Sequence, residues 1–105
     1  MRLTRSVFEN DVFLDSAALR VILGRHPEMG RLERLEDEIL AAISAPDFVL
    51  AGRYGNNIAV RKISAGFFLG SWLMVPYEEG GRVITAFVAS DGEKMRERRL
   101  VLWRR

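Results

Sequence analysis

Apolar residues along this chain change their spacing once, close to Pro46. Before that point they recur at helical intervals. Ala18, Leu19, Ile22 and Leu23 share one face of a predicted helix capped by Asp15 or Ser16, with Gly24 as its C-terminal stop. From Arg31 to Ala45, Leu32, Leu35, Ile39, Ala42 and Ile43 form a second stripe, while Arg34, Glu36, Asp37 and Glu38 fill the remainder and Pro46 ends the helix. Val12 to Leu14 reads as a short extended segment ahead of both helices.

Beyond Pro46 the pattern is that of strands. Phe48 to Leu50 is the first, and Gly52 to Asn57 has the composition of a turn. Ile58 to Ile63 alternates, with Ile58, Val60 and Lys62 on one side and Ala59, Arg61 and Ile63 on the other. Phe67 to Tyr77 is nearly continuous in apolar residues, as a central strand would be. Glu78 to Gly81 predicts a hairpin turn into a strand from Arg82 to Ala89, and Asp91-Gly92 predicts a further turn. The tail adds an edge strand through Leu100 to Trp103 or a short helix. The expected architecture is α+β: N-terminal helices packed on one face of an antiparallel sheet of about four strands, in a single domain spanning residues 1–105.

Composition narrows the chemistry. The chain has no cysteine and a single histidine, which removes disulfides, thiolate metal sites and a cysteine nucleophile. No metal and no cofactor is expected. Glu9 and Asp11 interrupt the segment where a signal peptide would need apolar residues, and Gly70, Ser71 and Pro76 interrupt the longest apolar run, so a cytoplasmic protein without a membrane partner is expected. Charge is uneven. Residues 1–52 hold six Lys/Arg against nine Asp/Glu, and residues 53–105 hold ten against five. Fourteen of the sixteen cations are arginine, the side chain whose planar fork suits phosphate.

His26 stands at the corner between the helices, a position from which an imidazole reaches substrate as a general acid or base; a capping or partly buried polar role is the alternative. Pro27 fits the first position of the next helix. Thr85 is the one hydroxyl in the run Val83-Ile84-Thr85-Ala86-Phe87, suited to a phosphate contact or simply to a strand. Arg61 and Lys62 point to opposite faces, so only one of them can lean over a substrate. Arg53 and Tyr54 open the glycine-asparagine turn as a phosphate clamp or as plain loop residues. Arg96, Arg98 and Arg99, with Trp103 close by, match either a surface on which RNA bases stack or a solvated edge guarded by cations.

Together these segments resemble the small phage- and mobile-element-associated nucleases of the barnase–EndoU–colicin–RelE superfamily. The resemblance is carried by Arg25-His26-Pro27-Glu28-Met29 before an acidic helix, by Ala45-Pro46-Asp47-Phe48-Val49 at that helix's end, by the strand Gly55-Asn56-Asn57-Ile58-Ala59-Val60-Arg61-Lys62, and by Val83-Ile84-Thr85-Ala86-Phe87. It covers Val12 to Val88. It implies a toxin-type, metal-independent ribonuclease in which the RNA 2′-hydroxyl attacks phosphorus and leaves a 2′,3′-cyclic phosphate. His26 is then the acid/base, Arg61 or Lys62 the phosphate-stabilising cation and Thr85 a phosphate ligand or orienting hydroxyl. Arg53, Tyr54, Arg96, Arg98, Arg99 and Trp103 bind RNA, and a cognate antitoxin or immunity protein is the protein partner. Relatives often carry another histidine five residues before the Arg-His-Pro-Glu histidine, where this chain has Val21. A catalytically degenerate module of the same fold, binding RNA or a protein, is therefore the alternative. The apolar strand and candidate exposed aromatics would permit a homodimer.

Overall fold

A computed structural model describes residues 1–105. Two N-terminal strands, β1 (Arg2–Arg5) and β2 (Asp11–Leu14), pair antiparallel as a hairpin. Asp15 then caps α1 (Ser16–Arg25), its Oδ1 accepting from the Ala18 amide at 2.8 Å. Gly24 is not the stop. The helix runs on to Arg25, and His26 closes it by donating its backbone N–H to the Ile22 carbonyl.

The long second helix expected from Arg31 divides in two. Pro27–Arg31 is a 3₁₀ turn with Pro27 at its start, and α2 covers only Leu35–Ser44. Leu32 is extended and Arg34 left-handed (φ 54°), so the chain turns a corner that buries Met29 and Leu32 before α2 begins. Periodicity alone could not reveal the break, because the apolar positions stay in helical phase through it.

The sheet has five strands where about four were expected. They are β3 (Phe48–Ala51), β4 (Asn57–Lys62), β5 (Trp72–Tyr77), β6 (Phe87–Ala89) and β7 (Val101–Arg104), in the order β6-β5-β4-β3-β7 and antiparallel throughout. The tail supplies both of its alternatives: a third helix, α3 (Gly92–Arg98), and the edge strand β7. Since β6 and β7 are opposite edges, the segment containing α3 carries the chain from one edge to the other.

Alternation along β4 divides the interior. Ala59 and Ile63 join the larger core with residues of α1 and α2, including Ile22, Ile39 and Ile43. Ile58 and Val60 join Phe48, Leu50 and Met74 in a smaller core, against which Met95 of α3 packs. Helices therefore cover both faces, α1 and α2 on one and α3 on the other. Gly92 lies so close to the sheet that a Cβ there would stand 2.6 Å from the Trp72 indole.

Two expected strands are shorter than their apolar runs. Phe67 to Ser71 is the tip of the β4–β5 hairpin, closed by Gly70 N–H to the Ile63 carbonyl and Ile63 N–H to the Ser71 carbonyl, with Phe67 and Leu69 exposed. Gly66 and Gly70 take the positive φ that this tip needs. Between Arg82 and Ala89, only Phe87–Ala89 is regular strand; Val83 bridges to Tyr77, and the Ile84 and Thr85 amides both reach the Pro76 carbonyl, at 2.9 and 3.4 Å. One extra residue is thus accommodated as a bulge between the Tyr77–Val83 and Met74–Phe87 pairs. Pro76, which has no N–H to give, fits within β5 because the ladder toward β6 is interrupted beside it. No helix is long and apolar enough to cross a membrane.

Candidate functional site

His26 caps the end of α1 with its side chain about one-third exposed, its Nδ1 3.6 Å from a Glu28 carboxylate oxygen. The imidazole also lies 5.6 Å from the Phe87 ring, centroid to centroid. The corner segment and the late Val83–Phe87 segment, 61 residues apart at these two side chains, therefore meet.

Arg61 lies on the α2 side of the sheet. It donates through Nη1 to the carbonyls of Ala45 at 2.9 Å and Ala41 at 3.4 Å, so it closes the C-terminal turn of α2. Of the two cations expected to meet phosphate, Arg61 is thus the one whose guanidinium serves the helix end. Lys62 points to the other face, with Nζ 5.5 Å from the Trp72 ring centre and no carboxylate partner. Of the two cations, Lys62 is the one whose charged group makes no hydrogen bond or ion pair within the protein.

Asp47 is equally structural. Its side chain accepts from the Lys62 amide at 2.7 Å and pairs with Arg105 at 3.1 Å. Thr85 sits in the bulge rather than in a regular strand, which corrects that expectation, and its Oγ1 is buried without a hydrogen-bond partner. No hydrogen bond or ion pair joins His26, Arg61, Lys62 and Thr85 to one another.

The residues expected to bind RNA fall into two regions. Arg53 and Tyr54 occupy the β3–β4 turn, where Tyr54 is 87% exposed. The others lie on α3 and β7. Arg96 is engaged by Glu93 at 3.1 Å and stacks over Phe48, Arg99 reaches the Ala51 carbonyl at 3.5 Å, and Trp103 is half-buried opposite Val49. Arg98, Arg104 and Lys94 are exposed or half-exposed and form no ion pair.

One polar centre has no signature in the sequence. Glu79 accepts from Ser6 Oγ at 2.7 Å, Asn10 Nδ2 at 2.9 Å, Asn57 Nδ2 at 3.2 Å and the Tyr77 hydroxyl. Partial burial by itself would raise the Glu79 pKa, but these four hydrogen bonds outweigh it and hold the carboxyl below the ordinary glutamate value. Burial, together with the Glu79 hydrogen bond and charge, pushes the Tyr77 hydroxyl far above its usual range. The donors come from the N-terminal hairpin, β4 and β5, so no local spacing announces them.

Beside Glu79 opens a cleft of about 800 Å³ between α1, the β3–β4 turn and the β5–β6 turn. Asp15, Glu78, Glu79 and Arg82 supply its charges, and Val21 and Tyr54 lie along it; His26, Arg61, Lys62 and Thr85 are not among its walls. No three carboxylate or imidazole groups converge as metal ligands. None of the protein-family models, curated proteins or solved structures compared with the chain matches it.

Proposed function

We propose that this chain is a metal-independent endoribonuclease of the toxin type, built on the barnase–EndoU–colicin–RelE arrangement. The observation that carries this reading is the meeting of His26 with Phe87, which joins two segments of the resemblance at an accessible imidazole. Glu28 stands 3.6 Å from Nδ1, and Nε2 is the nitrogen assigned to substrate. His26 removes the proton of an RNA 2′-hydroxyl as its oxygen bonds to phosphorus; the bond to the 5′-oxygen breaks, and solvent protonates the leaving alkoxide. Lys62, free of carboxylates, takes the phosphate-facing role in place of Arg61. A cognate antitoxin would be the protein partner.

Binding of RNA without turnover is the second reading, favoured by Arg61 being held at the end of α2 and by Val21 standing where a second histidine would be. Incubating the purified protein with total RNA in EDTA separates the two. The ribonuclease yields fragments ending in 2′,3′-cyclic phosphate, and His26→Ala lowers their rate by roughly 100-fold or more. RNA left intact from pH 5 to 9 while still bound would leave the binding reading standing alone.

A further inference from the structure

The cleft beside Glu79 is a concavity that the proposed chemistry does not use. Its volume of about 800 Å³ falls within the roughly 300–1,000 Å³ of sites that enclose organic ligands. Three carboxylates, Asp15, Glu78 and Glu79, face it against one guanidinium, Arg82. Arg82 sits 3.9 Å from Asp15, and neither Glu78 nor Glu79 has an ion-pair partner. A polyphosphate chain would be repelled here.

The remainder of the lining is neither acidic nor inert. Tyr54 stands 87% exposed at the rim, and Val21 and Ile84 are exposed aliphatic side chains of 39% and 40%. A site that offers an aromatic face, aliphatic walls and uncompensated carboxylates suits a planar cation on an alkyl stem. Lysine meets the charge but has no plane to stack. A volume larger than one side chain leaves room for neighbouring residues of a polypeptide over Val21 and Ile84.

We propose that this cleft docks an arginine-bearing segment of a partner protein, with the guanidinium stacked on Tyr54 and paired to Glu78, and with Glu79 supplying the fixed negative field behind it. This interface is separate from the α3–β7 surface and does not depend on RNA cleavage.

The probe is a fluorescein-labelled decapeptide of alternating arginine and serine, beside lysine–serine and glutamate–serine peptides of the same length. It is titrated into the full chain by fluorescence anisotropy, and the binding site is mapped by amide chemical shifts. The arginine peptide is expected to bind in preference to the lysine peptide and to move the amides of Val21, Gly55 and Ile84. Glu78→Lys is expected to weaken binding by roughly tenfold or more through like-charge repulsion. Tyr54→Ala should weaken it by about threefold and abolish the preference for arginine. Both positions are exposed, and unchanged thermal unfolding would show that the variants remain folded. Failure of the arginine peptide to bind, equal affinity in the wild type and both variants, or shifts confined to another surface would each overturn the assignment. So would a single-stranded RNA oligonucleotide that moves these same amides.

Discussion

At Glu79, one carboxylate receives donors from Ser6 and Asn10 of the N-terminal hairpin, Asn57 at the start of β4, and Tyr77 at the end of β5. Tyr77 is fully buried, so without Glu79 its hydroxyl would lose its charged acceptor. The linkage has a definite sign. Because the folded-state pKa of Glu79 is depressed, its stabilisation is present above the ordinary value of 4.5 and is lost as pH falls through the lower folded-state value. Urea unfolding of the wild type and Glu79→Gln across pH 2 to 7 should show a stability gap that is widest near neutrality and closes below the ordinary glutamate range. A gap independent of pH would mean that the ionised carboxylate contributes nothing that the amide lacks. No sequence pattern announces this centre. Glu79 reads as half of a Glu-Glu turn, and Tyr77 as the last residue of an apolar run; only the closing of the hairpin onto β4 and β5 brings the donors together.

Helix α2 shows which boundaries a sequence conveys and which it does not. Its C-terminal end is legible, since Ala45-Pro46 cannot continue a helix and the strand pattern starts two residues later. Its beginning is not, because Leu32 and Leu35 keep helical phase across a corner made by extended Leu32 and left-handed Arg34. Strand β4 is the opposite case: its alternation puts Ile58 and Val60 on one side and Ala59 and Ile63 on the other, and the two sides join separate cores. The same alternation placed Arg61 and Lys62 on opposite faces, but only the packing of α2 decides that Arg61 is the one occupied. Arg61→Ala should therefore cost roughly 1 kcal/mol of stability, the usual worth of a cation at a helix C-terminus. Under conditions where the variant is fully folded, RNA cleavage should be unchanged. Chemical denaturation beside the cleavage assay checks both halves, and a loss of cleavage without a loss of stability would return Arg61 to the site.

Across the whole molecule, the unpaired charges differ from one surface to another. The cleft between α1 and the two turns is acidic, whereas α3 and β7 present Lys94, Arg98 and Arg104 without carboxylate partners. Total charge conceals this, because +2 over 105 residues predicts neither surface. The basic tail was visible in the sequence, but not the division within it: Arg96 and Arg105 are neutralised by Glu93 and Asp47, and Arg99 leans on a backbone carbonyl. If α3 and β7 form the RNA-binding surface, affinity should fall with salt in proportion to the phosphates that the free cations meet. Each single-strand phosphate contact contributes about 0.7 to the slope of log K against log salt. Arg98→Ala with Arg104→Ala should therefore lower the magnitude of that slope by about 1.4, whereas Arg96→Ala, whose guanidinium already answers Glu93, should change it much less. Filter binding of a single-stranded RNA between 50 and 300 mM salt measures both effects. An unchanged slope in the double variant would move RNA off this surface, and an equal loss from Arg96→Ala would mean that the Glu93 pair opens on binding.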